Sequence, residues 1–284
     1  MDQKIINLYD EYTHKPLSRK EFIKRLSILV GGTAAALSLL PMLESNYAKA
    51  NAIGIKDDLF TERVKYKGDN CEMQAYIARP KQEGVYSTVI VIHENRGLNA
   101  HIEDVARRVA KAGYLAIAPN ALSVLPKLPA TEDEARAEFS KMDPKQSLNN
   151  FSNAFDYAAT RNDCNGKFAC VGFCWGGAIA NNLAVHVSNL KAAVSFYGLQ
   201  PKSDEVSKIK VAVQLHYASL DERINAGIAS YEEALKSNNV EYEMYVYEGV
   251  NHAFHNDTAG PRYNEEAAKL AWGRTLEFFG KKLG

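Results

Sequence analysis

The five residues Gly172-Phe173-Cys174-Trp175-Gly176 constrain this chain more than any other stretch. Just before them, Phe168-Ala169-Cys170-Val171 is short, apolar and bounded by Asn165-Gly166, as a buried strand is. After Cys174 the chain runs Trp-Gly-Gly-Ala-Ile-Ala-Asn-Asn-Leu-Ala-Val with helical spacing. A strand, a sharp turn and a helix, with glycine two residues before and two after the central residue, predict a nucleophile elbow carrying sulfur instead of a hydroxyl. The glycines have a steric reason: the central residue sits in strained backbone, and strand and helix meet with no Cβ atoms between them. A thiol placed there also lies at a helix N-terminus, where exposed N–H groups and the helix dipole favour thiolate.

The rest of the chain supplies a sheet to hold such a turn. Residues 63–67 and 73–79 read as a hairpin around Gly68-Asp69-Asn70. Segments 87–93, 114–118, 192–197 and 211–217 are apolar, β-rich runs, and 240–248 alternates as a last strand. Between them 101–112, 132–139, 147–160, 224–237 and 264–280 have helical periodicity, and 120–130 is a loop holding Pro126 and Pro129. Strands alternating with helices predict a mostly parallel central sheet covered on both faces, an α/β fold. The 284 residues hold 34 basic and 34 acidic side chains, so nothing points to nucleic acid, and the 46% hydrophobic content suffices for a large core.

In such sheets the chemistry gathers beyond the C-terminal strand ends. That rule selects His93-Glu94-Asn95-Arg96, Cys174, Tyr197, Asp221 and His252. A thiol nucleophile needs a base and the base needs an orienting acceptor, so Cys174, His252 and Asp221 are the candidate triad. Their chain order, nucleophile then acid then base, is that of α/β-hydrolases. Glu222 and His255 are the substitutes, and Asp221 also suits the cap of the helix that follows it. Tyr197, Tyr217 and Phe254, with Arg96 and Trp175, are candidates to line a substrate pocket. No Cys/His spacing suggests a metal, and no glycine-rich loop suggests an organic cofactor.

Gly172-Phe173-Cys174-Trp175-Gly176-Gly177, His93-Glu94 and Asn251-His252-Ala253-Phe254 together resemble the dienelactone hydrolase family over residues 60–280. The resemblance implies an α/β-hydrolase fold and a Cys174–His252–Asp221 triad acting on a small ester or lactone. It also implies that Glu94 holds the resting thiol, and that the backbone N–H groups of Asn95 and Trp175 form the oxyanion hole. Members that act on dienelactone grip its carboxylate with arginines. Here Pro119-Asn120-Ala121-Leu122-Ser123 has none, and Asn256 stands four residues beyond His252. Unless Arg96 or Arg262 replaces that clamp, the expected substrate is neutral or differently charged. A non-catalytic or redox-sensing thiol protein, or a thioesterase, fits the same pattern.

Residues 1–50 read as an address. Ser18-Arg19-Lys20-Glu21-Phe22-Ile23-Lys24-Arg25 resembles a twin-arginine signature with Lys20 in the second arginine's place. An apolar stretch, 26–43, and a small-residue site, Ala48-Lys49-Ala50, follow. The expectation is an exported, periplasmic protein whose catalytic domain, 51–284, starts at Asn51; an uncleaved membrane anchor and a buried N-terminal helix are the alternatives. Neither the oligomeric state nor any pairing among Cys71, Cys164, Cys170 and Cys174 follows from spacing.

Overall fold

The computed structural model describes residues 1–44 and 58–284, so the Ala48-Lys49-Ala50 site lies outside the described residues. β1 (Leu59–Lys67) and β2 (Glu72–Pro80) form the expected hairpin, closed by a bond from Gly68 N to Cys71 O with Asn70 at φ 57°. Asn is among the few non-glycine residues that accept that left-handed conformation. β3 (Tyr86–Ile92), β4 (Leu115–Asn120), β5 (Cys164–Phe173), β6 (Leu190–Phe196), β7 (Ala212–Ala218) and β8 (Tyr242–Tyr247) complete one sheet. Its order is β1-β2-β4-β3-β5-β6-β7-β8, antiparallel across β1, β2 and β4 and parallel from β4 onward.

Alternation along the strands divides the core. Ile90 and Ile92 face one side of β3, and Val89 and Val91 the other. The first side is covered by α6 (Pro144–Ala159) through Phe151 and Phe155, α7 (Trp175–His186) through Leu183, and α9 (Ile228–Ser237) through Tyr231 and Leu235. The second is covered by α4 (Ala100–Lys111) through Ile102, Val105 and Val109, and by α10 (Glu265–Leu283) through Ala271 and Phe279. Helices therefore lie on both faces, as the strand–helix alternation predicts.

Three of the boundaries that differ from expectation have a local reason. β4 runs through Pro119 because that residue pairs with Ala75 of β2, whereas β3 pairs with β4 only as far as Ile117. The missing N–H thus falls where one flank of the strand has no ladder to complete. α6 starts at Pro144, whose fixed φ suits a first helical position, behind the cap Asp143. The helix expected over 224–237 is two, α8 (Glu222–Asn225) and α9, parted near Gly227, where a Cβ would stand 2.3 Å from Gln200 Oε1.

The N-terminal segment forms α1 (Gln3–His14), α2 (Arg19–Val30) and α3 (Thr33–Leu43), with α2 and α3 bent by 110° at Gly31-Gly32. Ile5, Leu8, Tyr9, Tyr12, Phe22, Leu26, Leu40 and Leu43 pack into a cluster of their own. Among the described residues no single helix is long and apolar enough to cross a membrane; α2 and α3 reach that length and composition only as a bent pair. The remaining element, α5 (Glu132–Phe139), sits beneath this segment and pairs with it: Asp133 accepts from Tyr12 Oη and from Arg19, both at 2.6 Å.

The tight backbone at the elbow carries a stability prediction. A Cβ on Gly172 would lie 1.9 Å from Gly176 O, an atom that cannot rotate away, whereas a Cβ on exposed Gly273, within α10, meets nothing within 4 Å. Thermal unfolding should show Gly172→Ala destabilised by about 3 kcal/mol or more. Gly273→Ala should be stabilised by about 0.5–1 kcal/mol.

Candidate active site

Cys174 sits between β5 and α7 at φ 56°, ψ −114°, a conformation costing about 1–3 kcal/mol for a residue with a Cβ. Two bonds pin it: its N–H donates to Phe196 O at 3.0 Å, and its carbonyl accepts from Ala178 N at 3.1 Å. The turn aims the sulfur across the C-terminal edge of the sheet. Asp221 follows β7 by three residues and His252 follows β8 through Gly249, whose φ is 69°. The carboxylate of Asp221 divides its oxygens between the two roles its position suggests. Oδ1 caps α8 by accepting from Ile224 N at 3.3 Å, and Oδ2 lies 2.5 Å from His252 Nδ1. The other imidazole nitrogen, Nε2, is buried and makes no hydrogen bond.

A second imidazole completes the group. His14, the last residue of α1, places Nε2 3.2 Å from Cys174 Sγ and stacks edge-on against His252 with ring centroids 4.6 Å apart. Its Nδ1 faces the Asp10 carbonyl at 2.9 Å and the Asp10 carboxylate at 3.1 Å. Arg223 approaches the far oxygen of Asp10 at 3.7 Å. The sulfur thus stands between two histidines, each backed by an aspartate.

Charge follows geometry. Burial alone would push the Cys174 thiol up, but the positive charges of His14 and then His252, with the hydrogen bond from His14, bring it down to about 5. Burial opposes protonation of His252, yet Asp221 and the thiolate hold its pKa well above the ordinary imidazole value. His14 is raised likewise, by Cys174 and Asp10 against the effect of burial. These shifts all favour a thiolate flanked by protonated imidazoles.

The other expected residues divide. Glu94 lines the small cavity at the sulfur, but its Oε1 accepts from Tyr197 Oη at 3.3 Å and its Oε2 from Asn256 Nδ2 at 2.8 Å. Asn256, noticed only as the position without an arginine, is the side chain that orients this carboxylate. Trp175 is the first residue of α7, where a helical N–H has no intrahelical acceptor, and its ring stacks on His93 at 5.5 Å. Asn95 ties the site to α1 by donating from Nδ2 to Thr13 O at 3.0 Å. Arg96 and Arg262 both line the cavity. Arg96 donates to Asn95 and pairs with Glu132 at 3.5 Å, and Arg262 lies over the Tyr9 ring at 4.9 Å.

Tyr197 packs its ring 4.8 Å from that of His252. Tyr217 and Phe254 are core residues on opposite faces of the sheet, and neither lines this cavity. His255 is packed between Phe173 and Phe196, and Glu222 opens α8. All four cysteines are free thiols.

With α1 seated, the cavity at Cys174 is about 20 Å³, room for a water molecule but not for an organic substrate. A wider one, about 460 Å³, opens beside it between α1 and the loops bearing Asp221 and His252.

The residues that sequence reasoning missed are His14, Asp10 and Thr13. A signal was present: Asp2 caps a twelve-residue amphipathic helix carrying Asp10 and Glu11, more ordered and more acidic than an export leader requires. Their effect is measurable. The thiolate absorbance of wild type, referenced to Cys174→Ser, should titrate with a midpoint near pH 5. In His14→Ala, which removes the nearest positive charge, the midpoint should rise by about one to three units.

Comparison with known proteins bears on the family and the fold. Residues 73–283 match the model of the Dienelactone hydrolase family. A Yersinia pestis protein named "Putative carboxymethylenebutenolidase" is 35% identical over 239 residues, covering 76% of this chain and 85% of its own length. An Escherichia coli K12 protein of the same name is 33% identical over 244 residues, covering 77% and 87%. Among solved structures, one titled as a dienelactone hydrolase from Klebsiella pneumoniae superposes with a TM-score of 0.70 at 31% identity, covering 79% of this chain and 99% of that one. The sheet and its two helical layers are therefore those of an α/β-hydrolase, and this chain belongs to the dienelactone hydrolase family, whose members are hydrolases of ester or lactone bonds.

Proposed function

We propose that this chain hydrolyses a carboxylic ester or lactone by acyl transfer to Cys174, with His252 and Asp221 completing the triad. The observation that carries the reading is the Asp221 Oδ2–His252 Nδ1 contact at 2.5 Å, which leaves Nε2 buried and unpartnered beside the sulfur. The thiolate attacks the carbonyl carbon, and the N–H groups of Trp175 and Asn95 receive the developing oxyanion. His252 protonates the leaving alkoxide, then takes a proton from the water that cleaves the thioester. Substrate reaches the sulfur only when α1 draws back, because the space left beside Cys174 holds no organic molecule.

The substrate is read as an ester or lactone that needs no carboxylate, since Glu132 engages Arg96 and Tyr9 covers Arg262. Turnover of p-nitrophenyl acetate and of small lactones, with and without a carboxylate, tests this. Cys174→Ala and His252→Ala should abolish hydrolysis, and Asp221→Asn should lower kcat by about 10⁴. Cys71→Ala should retain it. Preference for acidic lactones would overturn the substrate reading. Turnover of thioesters alone would make the enzyme a thioesterase, and turnover that persists in Cys174→Ala would remove the triad.

For the N-terminal segment we propose export with cleavage after Ala50, on the strength of the Arg19-Lys20 signature, the apolar stretch and the Ala48-Lys49-Ala50 pattern. Cleavage there would release α1–α3 and uncover Cys174, so the covered site with His14 is that of the uncleaved chain. N-terminal sequencing of the cell-made protein should begin at Asn51; an intact Met1 would refute export by this route and leave α1 as a standing cover.

A further inference from the structure

His14 and His252 approach the same sulfur from opposite halves of the structure, one on the N-terminal helix and one on the loop after β8. One ring nitrogen from each, together with Cys174 Sγ, lie within 4.8 Å of one another. Both rings hold Nδ1 toward a carboxylate, His14 toward Asp10 at 3.1 Å and His252 toward Asp221 at 2.5 Å. A carboxylate behind an imidazole fixes the tautomer that exposes Nε2 and raises its basicity, the arrangement that metal-binding histidines use. An independent observation points into the same space: His252 is 4% exposed, and its Nε2 has no hydrogen-bond partner.

We propose that His14, Cys174 and His252 form a three-ligand site for a zinc-class divalent ion that bridges α1 to the hydrolase body. Thiolate and imidazole are the donors that zinc selects, and three protein ligands leave a fourth position for water. Bond lengths of about 2.3 Å to sulfur and 2.0–2.1 Å to nitrogen set the donors roughly 3.3–3.6 Å apart in a tetrahedron. His14 Nε2 and the sulfur already stand at 3.2 Å, and the widest gap has to close by little more than about 1 Å. Binding releases the protons of the two imidazolium rings to solvent and changes no oxidation state. The bound ion occupies the nucleophile and clamps the cover, so the metal-loaded form is the closed form.

The test uses the full 1–284 chain, reduced and stripped of metal, titrated with zinc against a chromophoric competitor. One equivalent should bind. Asp10→Asn should weaken binding by about 10- to 100-fold, His14→Ala by at least as much, and Cys71→Ser should leave it unchanged. Cobalt(II) in place of zinc should give a sulfur-to-metal charge-transfer band that Cys174→Ser removes. X-ray absorption on the zinc-loaded wild type should find one sulfur and two imidazole nitrogens, a readout independent of how any variant folds. Zinc held no tighter by wild type than by Cys174→Ser, affinity undiminished in His14→Ala, or a coordination shell without sulfur would each overturn the site. None of these measurements requires turnover, so a failure of the ester-hydrolase reading would be seen separately.

Discussion

A thiolate buried beside the edge of a sheet is stable only if positive charge stands against it, and this structure meets that requirement from two directions. Removing water from around the sulfur would by itself favour the neutral thiol. His14 and His252 reverse the balance; the pKa of His14 is raised by the sulfur and then by Asp10, and that of His252 by Asp221 and then by the sulfur. The aspartates are secured in turn, Asp221 by the first turn of α8 and Asp10 by Arg223. The whole arrangement depends on the elbow, where Gly172 lets β5 meet α7 and Gly176 lets α7 meet the end of β3, which aims the sulfur at this point.

Cys174, Asp221 and His252 were legible in the sequence because each obeys a rule that works over short distances. A glycine-flanked turn marks the first, and the ends of two consecutive β-runs mark the others. The α/β sheet was legible for the same reason: apolar runs alternate with helical periods all along the chain beyond the N-terminal helices. His14 was not, because its partner lies 160 residues away and no local period announces a contact of that kind. The basic and apolar residues that follow it also match an export leader, and that match drew attention from the capped amphipathic helix in front. The break between α8 and α9 escaped detection because it answers to Gln200, a residue from another loop.

Glu94 illustrates how a correct position can carry a different set of partners. It stands at the end of β3, lining the cavity with Cys174, where strand-end reasoning puts it. Its carboxylate is occupied by Tyr197 and Asn256. The contact at the sulfur is made by His14 instead, so the charge beside Cys174 is positive rather than negative. That substitution favours a standing thiolate over a thiol awaiting deprotonation.

The cover is built so that removing it costs little. The apolar face of α1 is spent within the N-terminal segment, against Phe22, Leu26 and Leu40, in a cluster that includes no residue beyond Leu43. Toward the hydrolase body it presents polar groups instead. Tyr12 bonds Asp133, Arg136 donates to Tyr12 O, Gln3 to Asn251, and Asn95 to Thr13 O. Such contacts exchange for water at a net cost of about 1 kcal/mol each, while lifting an apolar helix off a core would forfeit about 25 cal/mol for every Å² exposed. The three-helix unit thus carries an apolar core of its own, while it meets the hydrolase body through polar and charged groups, Arg19 on Asp133 and Asp10 on Arg223 among them. What holds it over Cys174 most specifically is electrostatic: the attraction of His14, backed by Asp10, for the sulfur, a contact that no water-exposed pair in the rest of the interface matches in burial.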